Sequence, residues 1–271
     1  MTLKEAEKLL SDAGIEDARH EARVIFAAVG GEPIYKLLTP DYENNTREVE
    51  DAVRRRAKRE PLAYIIGWVD FYNESYKVTP DVLIPRPDTE VLVDFAVNNI
   101  PEGESFIDLC TGSGCVAIST LANTKETRAV AVDISAKALA VAKENAEAMK
   151  VSERIEFILA DVTEKAHSDR VFAVLSNPPY VSEGAYKTLE PEIFKEPTIA
   201  FLGGEDGGDF YRALTPLYRD VIADEGFIAY EIGYDQADLI ARIAYENRMR
   251  CSILRDLSGN TRVAVLRKIL N

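Results

Sequence analysis

Cysteine is scarce in this 271-residue chain, at three residues, and histidine scarcer still, at two. Cys110, Cys115 and Cys251 form no Cys-x-x-Cys pair and cannot all bridge one another, so a disulfide framework is excluded. With only His20 and His167 beside them, a structural zinc site lacks a ligand set, and no metal is expected. No run approaches the roughly 20 apolar residues that a membrane helix needs. The start, Met1-Thr2-Leu3-Lys4-Glu5, lacks the apolar core of a signal peptide. A reduced, cytoplasmic protein without membrane contact is the expectation.

Positive charge is also in short supply. Against 46 acidic residues stand 32 Lys and Arg, for a net charge of −14. Nucleic-acid affinity comes largely from neutralising phosphates with cations, so bulk charge argues against a DNA or RNA partner and favours a protein or a small molecule. What the chain does have is ordinary globular material, 46% hydrophobic and 29% charged, which excludes disorder throughout. At roughly 100–200 residues per domain, the length suggests one larger and one smaller domain.

The first seventy residues read as a small helical bundle, residues 1–70. Leu3, Ala6, Leu9, Leu10 and Ala13 recur at helical spacing before Gly14, and Ala18, Ala22, Ile25, Phe26 and Val29 repeat the pattern before Gly30-Gly31. A third helix is expected from Thr46 to Glu60, where Pro61 stops it. Its end carries Arg54-Arg55-Arg56-Ala57-Lys58-Arg59. That run suits an RNA or acidic partner, or a solvated last helical turn; the absence of interleaved aromatics favours the helix end.

Residues 71–84 read as a β-hairpin linker with Asn73-Glu74-Ser75 as its turn. Ile84-Pro85-Arg86-Pro87-Asp88-Thr89-Glu90 follows, its prolines holding the chain extended, with Asp88 or Thr89 capping a helix through Val91, Leu92, Phe95 and Ala96. Residues 85–271 then alternate strand and helix. Strands are expected at Ser105–Leu109, Arg128–Ile134, Ile155–Leu159, Val171–Leu175 and Gly226–Ile232. Helices are expected at Cys115–Ala122, after Ser135, and at Gln236–Asn247. Two last strands, near Ser252–Arg255 and Arg262–Arg267, are close enough to pair antiparallel. The fold class is α/β: a Rossmann-like parallel sheet with an antiparallel C-terminal strand, preceded by the bundle and the hairpin.

Where the first strand of that sheet meets its helix stands Asp108-Leu109-Cys110-Thr111-Gly112-Ser113-Gly114-Cys115-Val116-Ala117. Two glycines let a ligand lie against the backbone there. The second strand ends in Asp133, nineteen residues after Gly114, where a carboxylate can accept both hydroxyls of a ribose. The loop fits a dinucleotide fingerprint and an S-adenosylmethionine site equally, and a bare structural turn less well.

Ser176-Asn177-Pro178-Pro179-Tyr180 ends the fourth strand at the same edge. The Asn177 side-chain carbonyl and the Pro178 backbone carbonyl are two acceptors able to hold both hydrogens of a planar –NH2 group. Tyr180 adds an aromatic wall. Such a site methylates a poor amide or amino nucleophile by positioning alone, without metal or covalent intermediate. An NAD-dependent dehydrogenase explains the glycine loop but leaves Asn177–Tyr180 idle. An adenine-N6 methyltransferase shares the –NH2 chemistry but needs a basic channel, whereas the charge after residue 70 is −11.

With Ile84–Glu90, Asp108–Gly114, Asp133 and Asn177–Tyr180 the chain resembles the HemK/PrmC protein-(glutamine-N5) methyltransferases of peptide chain release factors. Glu196-Pro197, Gly203-Gly204-Glu205-Asp206-Gly207, Glu231-Ile232-Gly233 and Gly259-Asn260-Thr261-Arg262 belong to the same resemblance, which runs from about Leu62 to the C-terminus. It implies a class I methyltransferase sheet and S-adenosyl-L-methionine as cofactor. The implied acceptor is the glutamine of the Gly-Gly-Gln motif in class I release factors. Cys110, Thr111, Gly112, Ser113, Gly114, Asp133, Asp161, Val162 and Asn177 are then expected at the cofactor. Asn177, Pro178, Pro179 and Tyr180 are expected at the glutamine, with Asn177, Pro178 and Tyr180 catalytic. Two residues depart from the pattern: Cys110 stands where the loop's first glycine is usual, and Val162 where some relatives carry an aromatic. Outside the motifs, His167 reads as a surface residue and Cys110 and Cys115 as packing. Glu231 reads equally as a loop-ordering or a capping group, and Arg86 stays open between domain junction and substrate.

Overall fold

Thr2 opens the first helix with a capping box. Its hydroxyl accepts from the Glu5 amide at 3.1 Å while the Glu5 carboxylate accepts from the Thr2 amide at 2.8 Å. The computed structural model describes residues 1–39, 42–167 and 170–270. They form two compact units: Met1–Trp68 with Glu190–Glu196, and Val69–Leu189 with Pro197 onward.

The first unit holds α1 (Leu3–Asp12), α2 (Ala18–Ala28), α3 (Arg47–Ala57) and α4 (Leu62–Ile66). Each helix is short, so its stability comes from burying one face. Leu3, Ala6, Leu10, Ile25, Phe26, Val49 and Val53 make the shared core. The third helix stops at Ala57, before the proline, because Arg59 turns left-handed at φ 65°. Pro61 then starts α4 rather than only ending α3, and Gly67 at φ 88° closes it.

The four arginines of the basic run form ion pairs inside this unit. Arg54 meets Glu50 and Arg55 meets Glu60, each at 2.5 Å. Arg59 meets Glu192 at 2.8 Å. Arg56 is 6% exposed, so it is no solvated helix end; it pairs with Glu21 and, at 2.9 Å, with Glu192. Removing Arg56 leaves Glu21 without its partner and Glu192 with Arg59 alone, at a largely dry position. Arg56→Ala is therefore expected to cost about 2 kcal/mol, below the range for fully buried pairs because both acids keep an edge in water. A denaturant titration read by far-UV circular dichroism checks it.

The second unit opens with the hairpin β1 (Trp68–Phe71) and β2 (Glu74–Lys77). Tyr72 and Asn73 turn it at φ 49° and 63°, as a two-residue type I′ turn requires. Next come α5 (Glu90–Asn99), β3 (Ser105–Leu109), α6 (Cys115–Ala122), β4 (Arg128–Asp133), α7 (Ala136–Ala148), β5 (Ile155–Leu159) and β6 (Val171–Ser176). The chain ends with α8 (Glu183–Tyr186), α9 (Asp209–Arg219), β7 (Ile222–Glu231), α10 (Ala237–Glu246), β8 (Met249–Arg255) and β9 (Thr261–Lys268). The seven-stranded sheet runs β5-β4-β3-β6-β7-β9-β8; its first five strands are parallel, and β9 pairs antiparallel with both β7 and β8.

Strand alternation sorts the side chains into two cores. Phe106, Ala131, Leu175 and Phe227 face α5, α6 and α7, while Ile107, Val132, Val174 and Ile228 face α9 and α10. Sequence reasoning assigned no element to α9, a helix that carries Pro216 inside it. The proline lies on the exposed side, and Tyr211, Leu214 and Tyr218 bury the opposite stripe. Strand order reverses between β3 and β6, so the carboxyl ends of these two strands flank the switch point where such sheets bind ligands. Among the described residues no helix is long and apolar enough to cross a membrane.

Candidate active site

The glycine loop is anchored to its own strand. Asp108, 1% exposed, accepts from the Thr111 hydroxyl at 2.6 Å and from the Ala117 amide at 3.3 Å. Burial pushes its carboxyl up to about 7, against the pull of those two donors. Cys110 keeps the twist a glycine would give, at φ 60°, so this departure from the family pattern leaves the turn intact. Burial holds both Cys110 and Cys115 as neutral thiols, the latter pushed up to about 12, which fits packing rather than nucleophilic roles.

The two glycines do different work. Gly114, at φ 82°, caps α6; a Cβ there would lie 2.7 Å from Ile118 and 3.1 Å from Ala142. Gly112, at φ 56°, has nothing within 4 Å of where a Cβ would stand, because that direction is open cavity. Its amide donates to Asp133 Oδ2 at 2.8 Å, and the Ser135 amide donates to Oδ1 at 2.9 Å. Asp133 thus ties the loop to the end of β4 with lone pairs to spare. Burial raises its pKa, partly offset by the Ser135 and Gly112 amides.

At the end of β6, the Ser176 hydroxyl donates to the Leu109 carbonyl at 2.7 Å, joining the two strand ends that flank the switch point. Asn177 follows, half-buried, its Nδ2 donating to Thr89 Oγ1 at 3.2 Å. Pro178 and Pro179 are buried. The Tyr180 hydroxyl donates to Glu231 Oε1 at 3.1 Å, and Gln236 Nε2 donates to the Tyr180 carbonyl at 2.9 Å. The Gly203–Gly207 segment packs on this backbone. A Cβ at Gly203 would sit 2.6 Å from the Pro179 carbonyl oxygen, and one at Gly207 would sit 2.2 Å from that of Tyr180. Those glycines are needed for close approach.

A cavity of about 420 Å³ opens between the loop and these strand ends. Of the residues expected from sequence, Cys110, Gly112, Asp133, Asp161, Val162, Asn177 and Pro179 line it. Thr111 and Ser113 line a smaller recess beside it, shared with Cys110, Gly112 and Asn177. Gly114, Pro178 and Tyr180 border neither, and Tyr180 is turned to Glu231. Asp161 is fixed by the Thr163 hydroxyl at 2.6 Å and amide at 2.8 Å, which lower its pKa. His167 hydrogen-bonds the Asp161 carbonyl at 3.2 Å.

Sequence reasoning missed Pro80–Leu83, Ile199 and Phe210, which complete the cavity wall. Phe210 lies on the unanticipated α9, and the others sit in irregular segments without periodicity. Thr89 was legible only as a helix cap, and it makes no cap hydrogen bond. Apolar walls from Val82, Ile134, Val162 and Ile199 beside the Asp133 carboxylate suit a nucleoside, and the open direction at Gly112 leaves room for its substituent.

A fold of this strand order with a nucleoside-sized cavity at its switch point defines a class I methyltransferase, whose cofactor is S-adenosylmethionine. The PrmC N-terminal domain model matches residues 2–67 and the methyltransferase small domain model residues 87–202. The release factor glutamine methyltransferase of Caulobacter vibrioides is 36% identical, over 96% of this chain and 93% of its own. That of Geobacter sulfurreducens is 34% identical, over 94% and 91%. Among solved structures, the hMettl16 catalytic domain superposes with a TM-score of 0.59 at 13% identity, over 82% of this chain and 83% of that one, a likeness of fold alone. The chain belongs to the release factor glutamine methyltransferase family.

Proposed function

We propose that this protein transfers a methyl group from S-adenosylmethionine to the side-chain amide nitrogen of the glutamine in the Gly-Gly-Gln motif of class I release factors. The observation that carries the reading is Asn177: its Nδ2 is engaged by Thr89, which leaves Oδ1 as an acceptor beside the cavity. When bound, S-adenosylmethionine supplies an electrophilic sulfonium methyl. Asp133 accepts the ribose hydroxyls, Asp161 and Val162 border the base, and Gly112 admits the amino-acid part against the loop. Thr111, Ser113 and Gly114 shape that loop.

Asn177 Oδ1 and the Pro178 carbonyl each take one hydrogen of the substrate amide. This aims the nitrogen at the methyl and favours its pyramidalisation, a contribution of positioning and fixed dipoles. Pro178 and Pro179 stiffen the backbone that carries the acceptors, since neither has a free φ. Pro179, which lines the cavity, borders the glutamine pocket. Both acceptors disfavour a carboxylate, so glutamate in place of glutamine is excluded. The N-terminal helical unit, residues 1–68, serves to dock the rest of the release factor.

Incubation with methyl-labelled S-adenosylmethionine and a purified class I release factor tests this, with the modified peptide located by mass spectrometry. Label on the Gly-Gly-Gln glutamine is the expected result. Label on added RNA or DNA, and none on the glutamine, would sink it.

A further inference from the structure

Proline fixes φ at 178 and 179, yet the Pro178 carbonyl still turns with ψ. The direction of that acceptor is therefore set by whatever holds the chain on either side. On the N-terminal side the Ser176 hydroxyl donates to the Leu109 carbonyl at 2.7 Å. On the C-terminal side the peptide joining Tyr180 to Val181 is gripped at both ends. The Val181 amide donates to the Phe201 carbonyl at 2.7 Å, and the Tyr180 carbonyl accepts from Gln236 Nε2 at 2.9 Å.

Gln236 is the only glutamine in the sequence, and it is 7% exposed. Its side chain joins three separate segments. Nε2 donates to the Tyr180 carbonyl and, at 3.4 Å, to that of Gly207, while Oε1 accepts from the Gly233 amide at 2.9 Å. A backbone carbonyl can only accept and a backbone N–H can only donate, so these groups allow the amide one polarity. The Tyr211 hydroxyl gives its proton to the Glu231 carbonyl at 2.9 Å and stands 3.3 Å from Oε1. Glycine makes room for the amide: a Cβ at Gly207 would lie 2.5 Å from Nε2, and one at Gly233 would lie 3.2 Å from Cδ. The main chain of Gln236 is anchored as well. Its amide donates to the Gly233 carbonyl at 3.1 Å, and its carbonyl starts α10 by accepting from Ile240 at 3.0 Å. That helix is docked on the sheet through Ile240, Ile243 and Ala244.

Resting on the glutamine reading above, we propose that Gln236 is a positioning residue for methyl transfer, a fixed post that holds the Tyr180 carbonyl and thereby aims the Pro178 carbonyl at the substrate amide. Gln236 itself lines neither the cavity nor the recess beside it. Its loss frees one end of the span that carries the acceptors. A misplacement of about 1 Å at a reacting group costs on the order of 100-fold in rate, so a slackened span is felt in kcat.

Two replacements separate the hydrogen bonds from the bulk of the side chain. Gln236→Met fills a similar space and bonds none of the backbone groups. Gln236→Glu, when ionised, sets a carboxylate against two carbonyls. When protonated, its hydroxyl donates to Tyr180 and its other oxygen accepts from Gly233, as the amide does. The ionisable groups on the segments around it are Glu231, Tyr180, Tyr211 and Asp235, with Arg212 already paired to Asp206 and Asp209. Burial in that setting disfavours the charge, so the new carboxyl takes up its proton above the ordinary carboxylate range.

Turnover of a full-length release factor is counted per S-adenosylhomocysteine-binding site, so unfolded molecules do not enter. At neutral pH both variants are expected to lower kcat by roughly 30-fold. S-adenosylhomocysteine affinity and the KM for the release factor should stay within about threefold. On acidification the ratio of wild-type to Gln236→Glu kcat should shrink by about fivefold or more, while that for Gln236→Met holds steady. Wild-type protein labelled with side-chain 15N-glutamine offers a readout without any variant, because a single –NH2 group carries the label. Its protons should exchange with solvent about a hundredfold more slowly than those of free glutamine. Unprotected protons would overturn the proposal whether or not the enzyme methylates anything. So would kcat within threefold of wild type in both variants, or losses that run in parallel at every pH. Wild-type enzyme that protects those protons yet leaves the Gly-Gly-Gln glutamine unmethylated would instead overturn the acceptor assignment.

Discussion

Asn177→Ala is expected to lower kcat for glutamine methylation by about a thousandfold, the upper range for removing one preorganised hydrogen-bonding group from a transition state. The reason is local. On the proposed reading, truncation deletes one of the two acceptors that aim the amide nitrogen, and it does so where that nitrogen has little nucleophilicity of its own. The surrounding backbone does not depend on the side chain. Ser176 still bonds Leu109 at 2.7 Å, Pro178 and Pro179 stay buried, and Gln236 still holds the Tyr180 carbonyl at 2.9 Å. The fold and the Asp133 side of the cavity are therefore expected to persist, with S-adenosylhomocysteine bound within about threefold of wild type. Single-turnover kinetics beside a binding titration separate the two effects. A kcat within tenfold of wild type would remove Asn177 from the chemistry.

The complementary result is expected at Asp133. Asp133→Ala should weaken S-adenosylhomocysteine binding by about a hundredfold, the loss of two hydrogen bonds to a charged acceptor. The same carboxylate holds the Gly112 amide at 2.8 Å and the Ser135 amide at 2.9 Å, so its removal also slackens the loop. Asp133→Asn keeps the shape and should fall between the two. Burial raises the folded-state pKa of Asp133, so the protein works against its ionisation. The sign follows from that direction. The charge costs folding stability above the ordinary carboxylate range. Cofactor affinity should decline on acidification at a higher pH than an unperturbed aspartate would dictate. Titration calorimetry across pH checks the affinity; equal affinity in Asp133→Ala would leave the ribose without its acceptor.

The local alphabet made much of this molecule legible. Short apolar runs such as Phe106-Ile107 and Ala173–Leu175 read as strands buried on both faces, because successive side chains must find opposite cores. Gly112 and Gly114 announce a close approach and a left-handed turn, and Ser135 accepts from the Ala138 amide at 3.2 Å as a cap should. Such features depend on neighbours within a few residues, so the chain order alone carries them. The segment from Asn177 to Tyr180 is legible for the same reason: two prolines constrain their own backbone.

Pairings across the fold lay beyond that reach. Thr89 and Asn177 are 88 residues apart, and Tyr180 and Glu231 are 51 apart. No propensity or spacing encodes a hydrogen bond over such distances; only the sheet order that brings β6 beside β7 does. The α9 segment was assigned nothing from the sequence, and its Pro216 is tolerated because the stripe opposite it buries two tyrosines and a leucine. Arg54, Arg55 and Lys58 form the exposed helix end expected, whereas Arg56 is buried against Glu21 and Glu192, brought to it from elsewhere in the chain. Residue types and turns, set by short-range sterics, gave away the chemistry available. Which acceptor faces the substrate, and what holds it there, depended on long-range burial that only the folded chain supplies.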